Sequence, residues 1–560
     1  MASRRTDLLR GDEHAGPSRR GFMSFLGLAS APSFTGVTGA ALLSTLGVPL
    51  AYGDTGPLNA HQRRQRAFVI RRDAAMFQRD RPDTMSIDNG DEQLYPSRIA
   101  SYTKALPHSA NGEVDLNAYN ALLRALGSGL RSDFEAIPLG GTVKLACPQA
   151  AYCFNMEGAD SHALVSPPAP AFSSAQAAAE MAEDYWYALT RNVPFSQYGS
   201  DPSINQAVAD LNMLSDYRAP KVKGQVTTDV IFRGNTPGDL NGPYLSQFLL
   251  KNVPFGAATF VQTYRTTVAG DDYMTNFPAW LAVQRGVAAG SNVFDTSPRY
   301  IRNNRDLAEY LHRDFTYQAY SLAALLLGSF GNPALAPNNY YLSSATQSGS
   351  ITFGAMFNLD LVARAAIYGL RAAWYQKWLV HRRLRPEAFG GRIHAHLTGM
   401  AKYPIHADIL NSAALPAVFK GTGSYLLPMP YPEGAPIHPS YPAAHAAVAG
   451  ACVTVLKALY NPSFVIPSPM TASDDGLSLV NYTGSALTVG DELNKLASNM
   501  SLGREAGGVH YRSDGIEGLK LGEAAAISML RDVATIVHEE FSGFTLTRFD
   551  GTSVTICPEC

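Results

Sequence analysis

Along residues 175–193, AQAAAEMAEDYWYALTRNV, apolar side chains recur every three or four positions, the spacing of a helix with one buried face. Residues 305–330, RDLAEYLHRDFTYQAYSLAALLLGSF, are almost wholly apolar on one side and predict a single buried helix. The segment 350–386 predicts a long helix that ends where Pro386 removes a donor and restricts Arg385. Further helices are predicted over 442–459, 486–505 and 513–540. FTLTRFDGTSVTI, 544–556, places strand residues on either side of Asp550-Gly551, a hairpin signal. The pattern is that of a mainly α protein, a large helical bundle with a small C-terminal β-hairpin. It divides into an N-terminal helical region (54–345), a second bundle (346–540) and a tail (541–560), without internal repeats.

Composition changes this picture little. Of 560 residues, 46% are hydrophobic and 16% charged, and the net charge of −2 offers no global field for nucleic acid or an anionic membrane. Any anion site must therefore be local. The N-terminus is more informative: Ser18-Arg19-Arg20-Gly21-Phe22-Met23 is a twin-arginine pattern, and no charged residue follows until Asp54. The intervening stretch is too mild for a stable membrane span, so residues 1–53 read as a twin-arginine export leader, with cleavage near Ala51-Tyr52-Gly53. An oxidising compartment would permit disulfides between Cys147 and Cys153 and between Cys557 and Cys560, whereas Cys452 falls in an apolar helix and reads as a buried thiol.

Three segments carry candidate chemistry. Trp374 and Lys377, three apart, share a helical face, and Lys377 and Arg385 on one helix would be offset by about 80° and 12 Å. Two cations can converge on a small anion, not on a metal ion; the neighbouring Arg382-Arg383 reads most simply as a solvated face or subunit contact. In HPSYPAAH, His438 and His445 bracket a proline-broken loop and the first turn of an alanine-rich helix. The amides of Ala443 and Ala444 at that helix start can bind an oxyanion, with His445 beside it for acid/base work. In GREAGGVHYRSDG, Gly507-Gly508 breaks a helix, so Arg504 can end one element and His510 project before the next. Ser513 and Asp514 are N-cap candidates, and Asp514 can accept from a ring nitrogen of His510. His394-Ala-His396 has the spacing of a metal pair but no evident third ligand, and reads as a loop or supporting element.

Taken in order, Lys-x7-Arg-Pro, Pro-Ala-Ala-His and Arg-x5-His-x3-Asp resemble the active-site signature shared by vanadium-dependent haloperoxidases and type-2 phosphatidic acid phosphatases. The Lys-to-Arg interval, His438 in HPSYP, and Trp374 are similar to the bromoperoxidase branch. The motifs cover residues 374–514. The resemblance implies a fold of two four-helix bundles, a vanadate cofactor, and oxidation of bromide and iodide by hydrogen peroxide to hypohalous acid, which halogenates small organic acceptors. It implies that His510 binds vanadium, that Lys377, Arg385, Arg504 and the Ala444 amide hold the vanadate oxygens, and that His445 shuttles protons while Lys377 polarises peroxide. Trp374 and His438 would shape the halide site, and Asp514 would support His510. Homo-oligomers are expected, as in the family, and neither a nucleic-acid partner nor a stable membrane span.

The chain departs from the family in carrying Ala443-Ala444 where Ser-Gly is usual. A hydroxyl worth about 1 kcal/mol is missing, and alanine at 444 keeps its amide in place only if the loop needs no positive φ there. Looser vanadate binding or an altered halide preference is expected. Two other readings share the cage: an acid phosphatase with His510 as nucleophile, and a non-catalytic oxyanion-binding protein.

Overall fold

The computed structural model describes residues 57–557, and residues 1–53, expected to be an export leader, lie outside them. Helices dominate, and the described strands form three two-stranded antiparallel sheets, the last being the hairpin Phe544–Thr547 and Ser553–Ile556. Its turn contains Gly551 at φ +84°, as the Asp-Gly signal predicts. Among the described residues no helix is long and apolar enough to cross a membrane.

Eight helices position the site: α1 (Ala175–Thr190), α2 (Asn304–Arg313), α3 (Gln318–Ser329), α4 (Ala355–Tyr375), α5 (Pro386–Leu397), α6 (Ala444–Leu459), α7 (Val489–Ala506) and α8 (Arg512–Ala534). α6 is the axis of the bundle, packed by α4, α7 and α8 and buried along almost its whole length. Its run of alanines is explained by the closeness of those neighbours. A Cβ at Gly450 would lie 2.1 Å from the Leu519 carbonyl, and one at Gly522 would lie 1.9 Å from the Ala447 carbonyl. Larger side chains would push the helices apart.

Two apolar clusters make up most of the core. One joins α2, α3, α4, α6, α7, α8 and the hairpin. The other gathers α1, α5 and the loops before α8, and so draws on both sides of residue 345. Ala443 and Ala446 belong to the first, Leu384, Val509 and Tyr511 to the second, and the candidate residues lie where they meet.

The structure corrects four expectations. Residues 350–386 are not one helix: α4 ends at Tyr375, a π-helical turn spans Gln376–His381, Arg382 takes φ +40°, and Arg385 is the N-cap of α5. Pro386 thus opens a helix, the position where its missing N–H costs nothing. The apolar run 305–330 is two helices, broken between Arg313 and Gln318. Helix α8 is capped by Tyr511, and Asp514 occupies its third position, accepting from the Tyr511 amide at 3.3 Å. Cys147 and Cys153 are free thiols, whereas Cys557 is disulfide-bonded. Cys452 is a buried thiol, as expected.

Candidate active site

The break between α4 and α5 places Lys377 and Arg385 on separate elements, free to converge. Lys377 is fully buried, and its Nζ donates to the carbonyls of Pro439 (2.8 Å) and Ser440 (2.5 Å). Arg385 donates from Nε to the His438 carbonyl (2.9 Å), and from its two terminal nitrogens to Val509 O (2.6 Å) and His438 Nδ1 (3.0 Å). Arg504, in the last turn of α7, donates to Leu311 O at 2.8 Å, and its buried Nε has no partner. Among the described residues none of these three cations is paired with a carboxylate. Their acidity shows the strain: burial, then Arg385, hold Lys377 well below the usual lysine range. Burial, then the Arg504 charge among the cations, brings Arg385 down to about 10.

His510 enters from the predicted break. Gly508 takes φ +65°, and the chain turns out of α7 so that the ring meets the cations. Its Nδ1 donates to Asp514 Oδ2 at 2.9 Å, which fixes the tautomer. The other nitrogen, Nε2, therefore keeps its lone pair and accepts from Arg385 at 3.0 Å. Burial, followed by Arg385, Lys377 and Arg504, holds this imidazole neutral, well below its ordinary pKa. Asp514 is itself pinned by Arg383 at 2.7 Å and by the Ser440 hydroxyl.

His445 stands in the first turn of α6 with its side chain 30% exposed. Nε2 lies 3.2 Å from Asp314 Oδ1, and burial and Arg504 lower its pKa against the pull of that carboxylate. Ala444 is the first residue of α6, so its amide has no intrahelical acceptor. The Ala443 amide, expected to serve an anion too, is instead bonded to the Asp514 carbonyl at 2.8 Å. Neither alanine has positive φ, so alanine in place of glycine leaves the loop unstrained. The Trp374 and His438 rings lie 4.7 Å apart, and the indole N–H donates to Cys147 O at 3.1 Å.

Three participants escaped the sequence. Ser440 lay inside the quoted HPSYP, Asp314 sits in the unpredicted break after α2, and Arg383 had been read with Arg382 as a solvated face. Arg383 is buried against Glu180 and Asp514, and Arg382 pairs with Glu92 at 2.7 Å. His394 and His396 lie in α5, not in a loop, and accept backbone N–H bonds from Tyr425 and Tyr403. No described cluster of His, Cys, Asp and Glu could hold a metal by itself.

Three buried cations without carboxylate partners, a first-turn amide and a neutral imidazole are thus gathered in one helical framework, a donor set of the kind that suits an oxyanion. A family model described as the VCPO second helical-bundle domain matches residues 424–539. The chain is 35% identical to a vanadium-dependent bromoperoxidase of Ascophyllum nodosum, over 88% of this chain and 92% of the relative. It is 34% identical to one of Corallina pilulifera, over 89% and 99% respectively. The second vanadate-dependent bromoperoxidase of Ascophyllum nodosum, solved as a homohexamer, superposes with a TM-score of 0.85 at 29% identity, over 97% of this chain and 96% of that one. The chain belongs to the vanadium-dependent bromoperoxidase family.

Proposed function

We propose that this protein oxidises bromide and iodide with hydrogen peroxide at a vanadate held in this cage, releasing hypohalous acid to halogenate small organic acceptors. The observation that carries the reading is the triad of buried cations without carboxylate partners around an imidazole fixed with Nε2 unprotonated. The donor set fits vanadate: an oxyanion would supply the missing negative charge to Lys377, Arg385 and Arg504. His510 Nε2 would hold the metal, and the Ala444 amide an oxygen. When bound, vanadate supplies a pentavalent Lewis acid that activates peroxide without changing oxidation state.

The protein's own groups do the rest. With Nε2–H of His445 directed to Asp314, Nδ1 is left to accept a proton from hydrogen peroxide and later return it. Lys377 Nζ stabilises the negative charge that leaves as the O–O bond breaks. Bromide gives two electrons to peroxide, so that bromide, hydrogen peroxide and one proton yield hypobromous acid and water. Trp374 and His438 wall the approach of the halide. Ala443 supplies no hydroxyl, and halide preference follows from that loss.

The test is bromination of a reactive diketone by metal-free protein with peroxide, before and after orthovanadate. Activity that requires vanadate and disappears in His510→Ala is expected; phosphate-ester hydrolysis without bromination would overturn the reading. Export by the twin-arginine route and self-association into a homo-oligomer complete the proposal, the latter supported by the homohexameric relative. The mature N-terminus of secreted protein and its sedimentation velocity decide those two points.

A further inference from the structure

Next to Arg504 in the chain, about 100° further round α7, Glu505 points away from the cage. Its carboxyl is buried, and neither oxygen has a hydrogen-bond partner. Leaving such a group unsatisfied is costly, and more so when it is charged. Beside it opens a cavity of about 330 Å³, walled by Leu502, Leu519 and Phe549, with Lys520 and Asp550 also lining it. That volume is at the lower end for a small-molecule site.

The charges of this cavity are unevenly compensated. Arg512 is occupied by Glu183 at 2.5 Å, Lys520 pairs with Glu517 at 2.8 Å, and Glu523 faces Lys457 at 3.7 Å. Glu505 has no such partner, and Asp184, whose pKa is raised by burial and then by Glu505, also leaves Oδ2 unbonded. What the cavity lacks is a positively charged donor with an apolar body. We propose that it binds a small organic ammonium ion, with N–H groups on the Glu505 carboxylate and hydrocarbon against Leu502, Leu519 and Phe549. The inference does not rest on the halide chemistry.

The probe is phenethylammonium, titrated by calorimetry into the vanadate-loaded protein without peroxide. One saturable equivalent is expected, weakened at least about tenfold in Glu505→Gln, since a charge-assisted bond is lost. Neutral 2-phenylethanol, which carries a hydroxyl in place of the ammonium on the same skeleton, should bind at least about tenfold more weakly than the ammonium to the unaltered protein. That comparison decides the matter even if the variant fails to fold. Burial raises the Glu505 pKa against the pull of Arg512, with Glu183, Glu180 and Asp514 adding to the rise. Ionising Glu505 on binding therefore releases a proton, read as heat that varies with buffer ionisation enthalpy. No saturable binding (a cavity holding water only), equal binding by the alcohol, or binding indifferent to Glu505→Gln would each overturn the proposal.

Discussion

Two clusters of buried charge share Asp514 and are built on opposite terms. In one, Lys377, Arg385 and Arg504 are held by backbone carbonyls and ring nitrogens, without a carboxylate partner among the described residues. In the other, Arg383 lies between Glu180 and Asp514, and Arg512 is clasped by both oxygens of Glu183. Burial is alike, yet the pKa values move in opposite directions: that of Arg385 falls, while opposed carboxylates raise those of Arg383 and Arg512 despite their burial. Being buried does not mark an anion site. Being buried and left unpaired does, because carbonyl dipoles orient a cation without neutralising it.

That contrast can be broken from either side. The largest effect is expected from Arg512→Ala, which leaves Glu183 buried without a cation and should cost about 3–5 kcal/mol in denaturant unfolding. Lys377→Ala should instead leave the anion-free protein as stable or more so, while orthovanadate affinity drops by the value of one charge-assisted bond, about 1.5–3 kcal/mol. Equal loss of stability in the two variants would erase the distinction. Asp514→Asn touches both clusters: it weakens the hold on Arg383 and no longer fixes His510 with Nε2 unprotonated. A fall of about 10–100-fold in vanadate affinity is expected from such a supporting residue, measured by reconstitution.

A histidine beside the paired cluster adds a pH test. Burial, then Arg382 and Arg383, lower the His381 pKa to about 3, and burial does the same for His108. The unfolded chain binds these protons near pH 6.5 and the folded one does not. Stability is therefore lost as pH falls from about 6.5 towards 3, by about 1.4 kcal/mol per unit for each histidine. His381→Gln should flatten that slope in acid unfolding. The smallest effect belongs to Ala443→Ser, expected to tighten vanadate by about 1 kcal/mol; an unchanged affinity would show that the missing hydroxyl is immaterial.

Much of this was legible where the relevant signal is local. The Gly507-Gly508 break, the start of α6 and the four-residue interval from His510 to Asp514 are all decided within one or two turns of chain. The long helix through Lys377 was misread because its ending depends on a π-helical turn and a positive φ at Arg382, neither announced by glycine or proline. Arg383 was misread because its partners, Glu180 and Asp514, are supplied by distant parts of the sequence. Asp314 was hidden in an apolar run whose break no punctuating residue marks. Hydrophobic pattern reports the elements, but which charges will be paired is settled by packing.

The groups of the cage come from the end of α2, the π-helical turn, the cap of α5, the first turn of α6, the last turn of α7 and the break before α8. Such a site exists only after all these pieces have docked, so its interactions are absent from a folding transition state that has joined fewer of them. A bound oxyanion accordingly acts as a late clasp. It slows the escape from the native state while leaving the rate of reaching it unchanged, and unfolding rates in denaturant, with and without orthovanadate, read that asymmetry directly.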